Sequence, residues 1–316
     1  MTDTPVALFI YNRPQHTEHV FEAIKTMSPP RLIVVADGPK NAADATQCEA
    51  ARTVAERVDW PCEVIRVYSD VNLGCKRRVS SGLAAVFELY ERAIILEDDC
   101  VPDLSFYKFA SELLFRYEND DRVTTICGSS FVPIEGPFDY AFSRFSLIWG
   151  WASWRRAWRH YDLGMSSWPR LRNTSWLKDI LRSSAGAYVL TRQFDYAASG
   201  ELDTWDTQWL FSSLVRGGHC IIPARNLVTN IGCGAGATHT RDVINQCANV
   251  PRSALRLPIH HPLHVRLDDD LDKNLLKWIW RPTIYDACKM GASSVLNTVS
   301  QSTYHVARLC GQKPNR

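Results

Sequence analysis

The central segment of the chain reads Ile94-Ile95-Leu96-Glu97-Asp98-Asp99-Cys100-Val101-Pro102, in which three aliphatic residues are followed at once by three acids. The aliphatic run is typical of the end of a fully buried strand. The acids must emerge at the tip of this strand, because burying unpaired carboxylates in a core is costly. Ligands bind at the carboxyl ends of strands in open parallel sheets, and clustered hard oxygens suit Mg²⁺ or Mn²⁺ and hence a diphosphate. A solvated acidic turn is the alternative.

Strands alternate with amphipathic helices on both sides of this segment. We predict strands over residues 6–11, 32–36, 63–67, 93–96 and 123–127, with helical apolar spacing between them. This alternation predicts βαβ units with right-handed crossovers, and therefore an α/β, Rossmann-like fold with a mostly parallel sheet flanked by helices. No G-x-G-x-x-G follows the first strand, which argues against a dinucleotide site.

The second half of the chain has a less regular pattern. Residues 143–158 read as loop and helix crowded with tryptophan, and 188–199 and 207–216 read as helices. A short strand is predicted at 220–222 and a glycine-rich loop at 230–240. From Asp270 onward the pattern is again that of amphipathic helix, with acids placed to suit the helix dipole.

Composition narrows the class of protein. The 316 residues are 46% hydrophobic and 22% charged, typical of a soluble globular chain of one large or two smaller domains. A net charge of +2 gives no reason to expect nucleic acid as a partner. The ten cysteines form no C-x-x-C pair, which favours free thiols in a reducing cytoplasm over a zinc site or a disulfide scaffold. We find no signal peptide and no membrane-spanning run, and we predict a cytoplasmic protein.

Several residues near strand ends are candidates for donor binding. Asp37 ends the second predicted strand beside Gly38 and could accept hydrogen bonds from a base or a ribose, although an aspartate often caps its own turn before glycine. Arg13 directly follows the first strand. Lys76 and Arg77 open a helix, where cations oppose the helix dipole, so a bound anion would explain them. A solvated basic face is the alternative.

The second half of the chain supplies a candidate base and aromatic faces. Asp206 lies between Trp205 and Trp209, where an apolar pocket can raise a carboxylate pKa toward that of a useful base; helix N-capping is the alternative. Trp149-Gly150-Trp151 could stack on a sugar. His260, His261 and His264 look like a metal cluster, but Pro258 and Pro262 break any helix there, which disfavours a metal site.

Five motifs recur in one order along the chain. They are Asp37-Gly38, Glu97-Asp98-Asp99, Trp149-Gly150-Trp151, Trp205-Asp206, and the loop from Asn230-Ile231-Gly232 to Thr238-His239-Thr240. This order resembles nucleotide-sugar glycosyltransferases with the GT-A fold, most closely the N-acetylglucosaminyltransferase I type and bacterial family 2-like relatives. The resemblance covers roughly residues 5–245. It implies a GT-A catalytic domain at 1–258, with a nucleotide-binding half (1–127) and an acceptor half (128–258), followed by a helical tail at 259–316.

The resemblance also implies roles for individual residues. Asp99 would be the direct ligand of Mn²⁺ or Mg²⁺ bridging the donor diphosphate, and Asp37 would hold the uridine or its ribose. Asp206 would be the general base of an inverting displacement. His239 would lie in a loop closing over the donor, and Trp151 would flank the donor sugar or the acceptor. The other residues assigned to donor binding are Arg13, Lys76, Arg77, Glu97, Asp98 and Thr238.

The tail raises the question of a membrane partner. Leu271, Leu275 and Leu276 mix with tryptophans and lysines, a pattern typical of a helix lying on an anionic membrane. Packing on the catalytic domain or on a second subunit is the alternative. The tail has no counterpart in the family pattern. We also find no transmembrane anchor in this sequence.

We predict a metal-dependent inverting glycosyltransferase, moving a hexosyl or N-acetylhexosaminyl group from a UDP-sugar. Its acceptor would be a glycan or lipid-linked glycan in bacterial surface polysaccharide or lipopolysaccharide synthesis, at the inner face of the membrane. Two other functions stay open. One is a sugar-nucleotide nucleotidyltransferase, which would want a glycine-rich loop where the chain has Tyr11-Asn12-Arg13-Pro14. The other is a non-catalytic sugar-binding module.

Overall fold

The computed structural model describes residues 3–232, 247 and 249–279. Ten strands lie within these residues: β1 Val6–Ile10, β2 Arg31–Ala36, β3 Glu63–Tyr68, β4 Arg92–Glu97, β5 Cys100–Pro102, β6 Val123–Cys127, β7 Tyr140–Ser143, β8 Trp151–Trp154, β9 His219–Pro223 and β10 Val228–Asn230. The same residues hold ten helices: α1 Pro14–Met27, α2 Ala42–Ala55, α3 Gly74–Leu89, α4 Leu104–Arg116, α5 Arg155–Trp158, α6 Trp168–Leu171, α7 Trp176–Leu181, α8 Ser184–Ser199, α9 Asp206–Val215 and α10 Asp269–Ile279.

Eight strands form the central sheet in the order β3-β2-β1-β4-β8-β6-β9-β7. Strand β8 is antiparallel to both of its neighbours, and β7 is antiparallel to β9, while the other six strands share one direction. The predicted α/β class with a mostly parallel sheet flanked by helices is therefore confirmed. Strands β5 and β10 form a separate two-stranded antiparallel sheet.

The two faces of the sheet bury different helices because side chains alternate along each strand. In β1, Val6, Leu8 and Ile10 pack against α1, α2 and α4. Ala7 and Phe9 face the opposite side, where they join α3 and the tryptophans of α5 and α9. A further apolar cluster holds α7, α8, α9 and α10 together under the second half of the chain.

The prediction of loop and helix for residues 143–158 is wrong in its central part. Trp151–Trp154 is strand β8, inserted between β4 and β6 in the middle of the sheet. The pattern misled because all four residues of β8 are buried on both faces, so no polar alternation marks the strand. Trp154 ends the strand and Trp158 lies in the next helix; both are buried, in different parts of the core.

The beginning of the predicted tail packs on the rest of the described chain. Leu271, Leu275 and Leu276 of α10 are buried in the same apolar cluster as α7, α8 and α9. Asp272 accepts hydrogen bonds from the Ser143 hydroxyl at 2.5 Å and from the Arg144 amide at 3.0 Å. These leucines are therefore not free to enter a membrane. Residues 280–316 lie outside the described part, and no helix within the described residues is long and apolar enough to cross a bilayer.

Candidate functional site

The acid cluster lies at the point where successive strands of the sheet pass from one side of β1 to the other. Strand β1 has β2 on one side and β4 on the other, and all three run parallel. Phe9, near the end of β1, is paired with Glu97 at the end of β4. The residues after the two strands therefore meet at a topological switch point, which is where open α/β sheets bind ligands.

Arg13 joins the two sides of this switch point. Its guanidinium is hydrogen-bonded to the Asp98 carboxylate, and its Nη2 atom lies 3.0 Å from Oδ2 of Asp99. Burial works against the charged guanidinium, yet the charges of Asp98 and Asp99 raise the pKa of Arg13 above its ordinary value. Burial raises the pKa of Asp98 to about 6, although the Arg13 charge lowers it. Arg13, expected to contact a donor anion, is thus bound to the acids.

Glu97 is a third carboxyl group at the site, and the Arg13 charge partly offsets the effect of its acidic neighbours on its pKa. Within the described residues it has no hydrogen bond and no ion pair. Burial raises its pKa well above the ordinary value, and the charges of Asp99 and Asp98 raise it further; Asp206 adds to the effect. One guanidinium therefore faces several carboxylates, and a second cation would be stabilised here.

The start of the predicted glycine-rich loop lies on Asp99. Strand β10 pairs with β5, which places Asn230 opposite Cys100, and the Ile231 amide donates to the Asp99 carbonyl at 2.8 Å. Gly232 is so close to the Asp99 carboxylate that any Cβ at this position would clash with it. Glycine is therefore required here by close approach. Thr238 and His239 lie outside the described residues.

Asp37 does not have the role that the resemblance implied. It is 5% exposed, and its carboxylate accepts hydrogen bonds from the amides of Gly38, Leu73 and Gly74 and from the side chain of Asn72, at 2.9 to 3.2 Å. These bonds use the lone pairs of both oxygens. The carboxylate therefore holds the turn into α3 and has no capacity left for a uridine or a ribose.

The anion expected beside Lys76 and Arg77 is provided by the chain itself. Asp203 accepts hydrogen bonds from the Cys75 amide at 3.2 Å and from the Lys76 amide at 3.1 Å. Together with Asp37, it satisfies the four amides that begin α3 and complements the helix dipole. Lys76 and Arg77 themselves make no ion pair among the described residues, so their charges remain available to a ligand.

Asp206 is the first residue of α9, with Trp205 at the N-cap position. Its Oδ1 atom accepts hydrogen bonds from the Thr204 hydroxyl and from the Thr207 amide at 2.8 Å. The preceding Trp205 stacks on Trp151, which pairs with Ile95 of β4, so the start of α9 lies near the strand that carries Glu97. The candidate base and the acid cluster are thus brought to one site.

Trp151 does not flank a sugar in this structure, which corrects the expectation. Its side chain is fully buried, stacked on Trp205 with ring centroids 5.5 Å apart and packed against Trp209 at 5.7 Å. A fully buried ring offers no face to a ligand. Trp149 keeps exposed surface instead and meets Phe131 edge-on at 5.5 Å. The Trp149-Gly150-Trp151 motif thus serves largely to pack the sheet.

A polar cavity of about 310 Å³ opens beside Arg13, at the carboxyl ends of β1 and β2. Its walls include Tyr11 and Asn12, whose side chains both donate hydrogen bonds to the Asp44 carboxylate. Lys40 also lines it, with its ammonium 5.7 Å from the centre of the Tyr11 ring. The volume lies in the range of ligand pockets. Sequence reasoning missed Lys40 and Asp44, because a polar turn and helix start carry no local sign of a cavity.

The acids of this site could bind a divalent cation only together with a ligand that supplies further oxygen atoms. Among the described residues, no three Asp, Glu, His or Cys side chains surround a common point. Mg²⁺ is commonly bound by one or two carboxylates together with water and substrate phosphates. Asp99, 13% exposed, is more accessible than Asp98, at 3%, and would be the direct ligand. Of the three histidines, His261 is hydrogen-bonded to Tyr140 and Glu112.

No protein-family model and no curated protein matches the chain. Solved structures with similarity include HddC from Yersinia pseudotuberculosis (9% identity, 43% of this chain and 59% of that one, TM-score 0.26). UDP-glucose pyrophosphorylase complexed with UDP-glucose is 10% identical over 44% of this chain and 63% of that one, with a TM-score of 0.26. Apo mouse xyloside xylosyltransferase 1 is 10% identical over 67% of this chain and 82% of that one, with a TM-score of 0.34. The chain spans less than two thirds of the first two. At these TM-scores the likeness says nothing about function.

Proposed function

We propose that this chain is a metal-dependent, inverting glycosyltransferase of the GT-A type. It would move a sugar from a UDP-sugar to a glycan or lipid-linked glycan in bacterial surface polysaccharide or lipopolysaccharide synthesis. One observation supports the proposal: Trp205, the neighbour of Asp206, stacks on Trp151 with ring centroids 5.5 Å apart, and Trp151 pairs with Ile95 of β4, two residues before Glu97. This brings a diphosphate-type site and a candidate base together.

Binding of the donor follows from the position of the polar groups. The nucleoside would occupy the cavity at Tyr11, Asn12 and Lys40, near the carboxyl ends of β1 and β2. The diphosphate would extend from it toward Asp99, and a bound cation there would neutralise charge on the leaving diphosphate. Lys76 and Arg77, unpaired among the described residues, add positive charge at the start of α3.

The transfer step requires a base near the acceptor. The Asp206 carboxylate would take the proton of the acceptor hydroxyl while that oxygen attacks the anomeric carbon and the diphosphate leaves, which inverts the configuration. Its Oδ1 is engaged by Thr204 and Thr207, so Oδ2 is the atom that would receive the proton. A positioned base contributes about 10²- to 10⁴-fold to such a reaction.

The segment after β1 argues against nucleotidyl transfer. Such a reaction needs backbone amides to cradle a triphosphate, as glycine-rich loops provide. Here Arg13 is engaged by two acids, and Pro14 begins α1 without an amide hydrogen. A glycosyltransferase is therefore the better match to this turn.

The test measures thermal stabilisation with a panel of nucleotide sugars, each with and without Mn²⁺, followed by turnover with the sugar that binds. Asp99→Asn should remove Mn²⁺-dependent binding, and Asp206→Asn should keep binding but lose at least about 100-fold in turnover. Asp59→Asn, at an exposed ion pair with Lys25, is the control and should change neither. Pyrophosphate release from a nucleoside triphosphate and a sugar phosphate would indicate a nucleotidyltransferase instead. Binding without transfer or hydrolysis would indicate a sugar-binding module.

A further inference from the structure

An apolar, positively charged surface lies along α4, away from the helices that pack α10. Exposed leucine and phenylalanine side chains mark it, and four of the ten large apolar side chains that are exposed in the described residues belong to it: Leu104 (51% exposed), Phe115 (66%), Leu257 (48%) and Leu263 (84%). Leu104 and Phe115 lie on one stripe of α4, eleven residues or about three turns apart. We call this the α4 surface.

The segment 255–263 runs alongside α4, so the two parts form one surface. The Leu255 amide donates to Ser105 Oγ at 2.9 Å, and His261 Nε2 lies 2.9 Å from Glu112 Oε1. Leu255 and Ile259 are buried in the core beneath this segment. The intervening residues are therefore turned outward, which is why their apolar side chains are exposed.

Basic side chains surround these apolar ones. Lys108 is on the exposed stripe of α4, where Glu112 is engaged by His261. Arg256 is exposed within the segment 255–263, and Arg252 and Arg266 are exposed three residues before and after it. None of these four basic side chains forms an ion pair with another described residue.

We infer that the α4 surface docks the protein on an anionic phospholipid membrane. Exposed, protruding apolar side chains flanked by unpaired cations match an interface with acyl chains below and anionic headgroups around them. A symmetric contact with a second copy would bring the same cations against each other and is therefore disfavoured. The surface begins beside the candidate site, since Leu104 is five residues beyond Asp99 and the Arg252 amide donates to Thr229 next to Asn230.

The inference does not depend on the proposed reaction, because binding to vesicles requires no substrate. It uses a different surface from the membrane contact expected through residues 271–316, of which the leucines of α10 are buried and residues 280–316 lie outside the described part. It also differs from docking on an acidic protein, which would need no apolar insertion and no lipid.

The full chain is sedimented with vesicles of phosphatidylcholine alone and of phosphatidylcholine mixed with phosphatidylglycerol. Binding is expected only to the mixed vesicles, decreasing with salt. The triple variant Arg252→Gln, Arg256→Gln, Arg266→Gln should weaken the partition coefficient on the order of 100-fold, about fivefold per cation. Leu263→Ser should weaken it separately at constant charge.

Two control variants isolate the surface. Arg170→Gln, Lys178→Gln, Arg216→Gln removes the same charge from exposed positions elsewhere, and Val71→Ser removes an apolar side chain that is 64% exposed. Both should bind as the unchanged chain does. If the control triple variant lost as much vesicle binding, the effect would depend on net charge alone, and the inference would be overturned. Unchanged binding of the α4-surface variants, equal binding to neutral vesicles, or no vesicle binding at all would overturn it as well.

Discussion

Arg13 Nη2 lies 3.0 Å from Asp99 Oδ2, so the carboxylate proposed as the metal ligand already has a cation of the chain beside it. The same guanidinium bonds to Asp98, whose side chain is only 3% exposed. Arg13 thus stabilises the acids in the absence of a metal, and a divalent cation approaching Asp99 would share that carboxylate with it.

Arg13→Gln should destabilise the fold and strengthen the response to metal. Removing one partner of a mostly buried ion pair leaves the acids uncompensated, so we expect a loss of about 3 kcal/mol in the free energy of unfolding. Mn²⁺ should then recover part of this loss, because it binds the folded state where the guanidinium was. Urea unfolding with and without Mn²⁺ measures both effects.

Arg31→Gln is the matched control for this experiment. Arg31 pairs with Asp3 and Glu63, whose side chains are 70% and 61% exposed, so its loss should cost less than about 1 kcal/mol and should not depend on Mn²⁺. If Mn²⁺ stabilises Arg13→Gln no more than the unchanged chain, competition at Asp99 is ruled out.

Gly74→Ala should cost more than Gly200→Ala. Both glycines have positive φ, +78° and +83°, so alanine is strained by roughly 1–2 kcal/mol at either position. A Cβ at Gly74 would also lie 3.0 Å from the Asp203 carboxylate, while nothing is near one at Gly200. We expect an excess of about 1.5 kcal/mol at Gly74 from weakened bonds between Asp203 and the amides of α3.

Chemical denaturation of the two variants measures this excess, which should vanish when both are made in an Asp203→Ala background. Equal costs at the two glycines in the unchanged background would show that Asp203 does not hold the start of α3.

Asp272→Asn should become relatively more stable than the unchanged chain as the pH rises. Burial raises the pKa of Asp272 despite its bonds to Ser143 and Arg144, so the fold favours the protonated form. Its contribution to stability is complete below the ordinary aspartate pKa of about 3.9 and is lost as the pH rises through the raised value in the folded state. Asparagine does not titrate, and urea unfolding across this range compares the two.

Asp120→Asn provides a comparison of opposite sign. The hydrogen bond from Arg122 lowers the pKa of Asp120, so the stability it contributes is present above the ordinary pKa and lost as the pH falls through the lowered value. The free energy of unfolding of the unchanged chain should therefore rise relative to that of Asp120→Asn as the pH increases. Parallel pH slopes for the two variants would contradict the assignment.

Leu275→Ala tests whether α10 is part of the folded body. Leu275 is fully buried, and its truncation should cost about 2–5 kcal/mol, whereas Leu263→Ala, at a residue 84% exposed, should stay within about 0.5 kcal/mol of the unchanged chain. Thermal unfolding gives both values. A small effect at Leu275 would mean that α10 detaches at little cost.

The local pattern of the sequence was sufficient for the first half of the fold. Strands β1 to β4 and β6 and the helices between them follow from apolar runs and helical spacing, which depend only on neighbouring residues. Strand β8 was not predicted, because a short run buried on both faces shows no alternation of apolar and polar residues. The pairing that makes it a strand comes from β4 and β6, which are distant in the sequence.

The candidate site divides in the same way. The sequence by itself determined that the three acids come at the carboxyl end of a buried strand. The expectation that they emerge from the core is wrong for Glu97, which is the last residue of β4, and for Asp98, which is buried and bound to Arg13. Only the tertiary structure decided what those acids contact: Arg13 is 85 positions from Asp98, and Asp203 is 128 positions from Cys75. Such partners are set by the order of strands in the sheet, and no local pattern records that order.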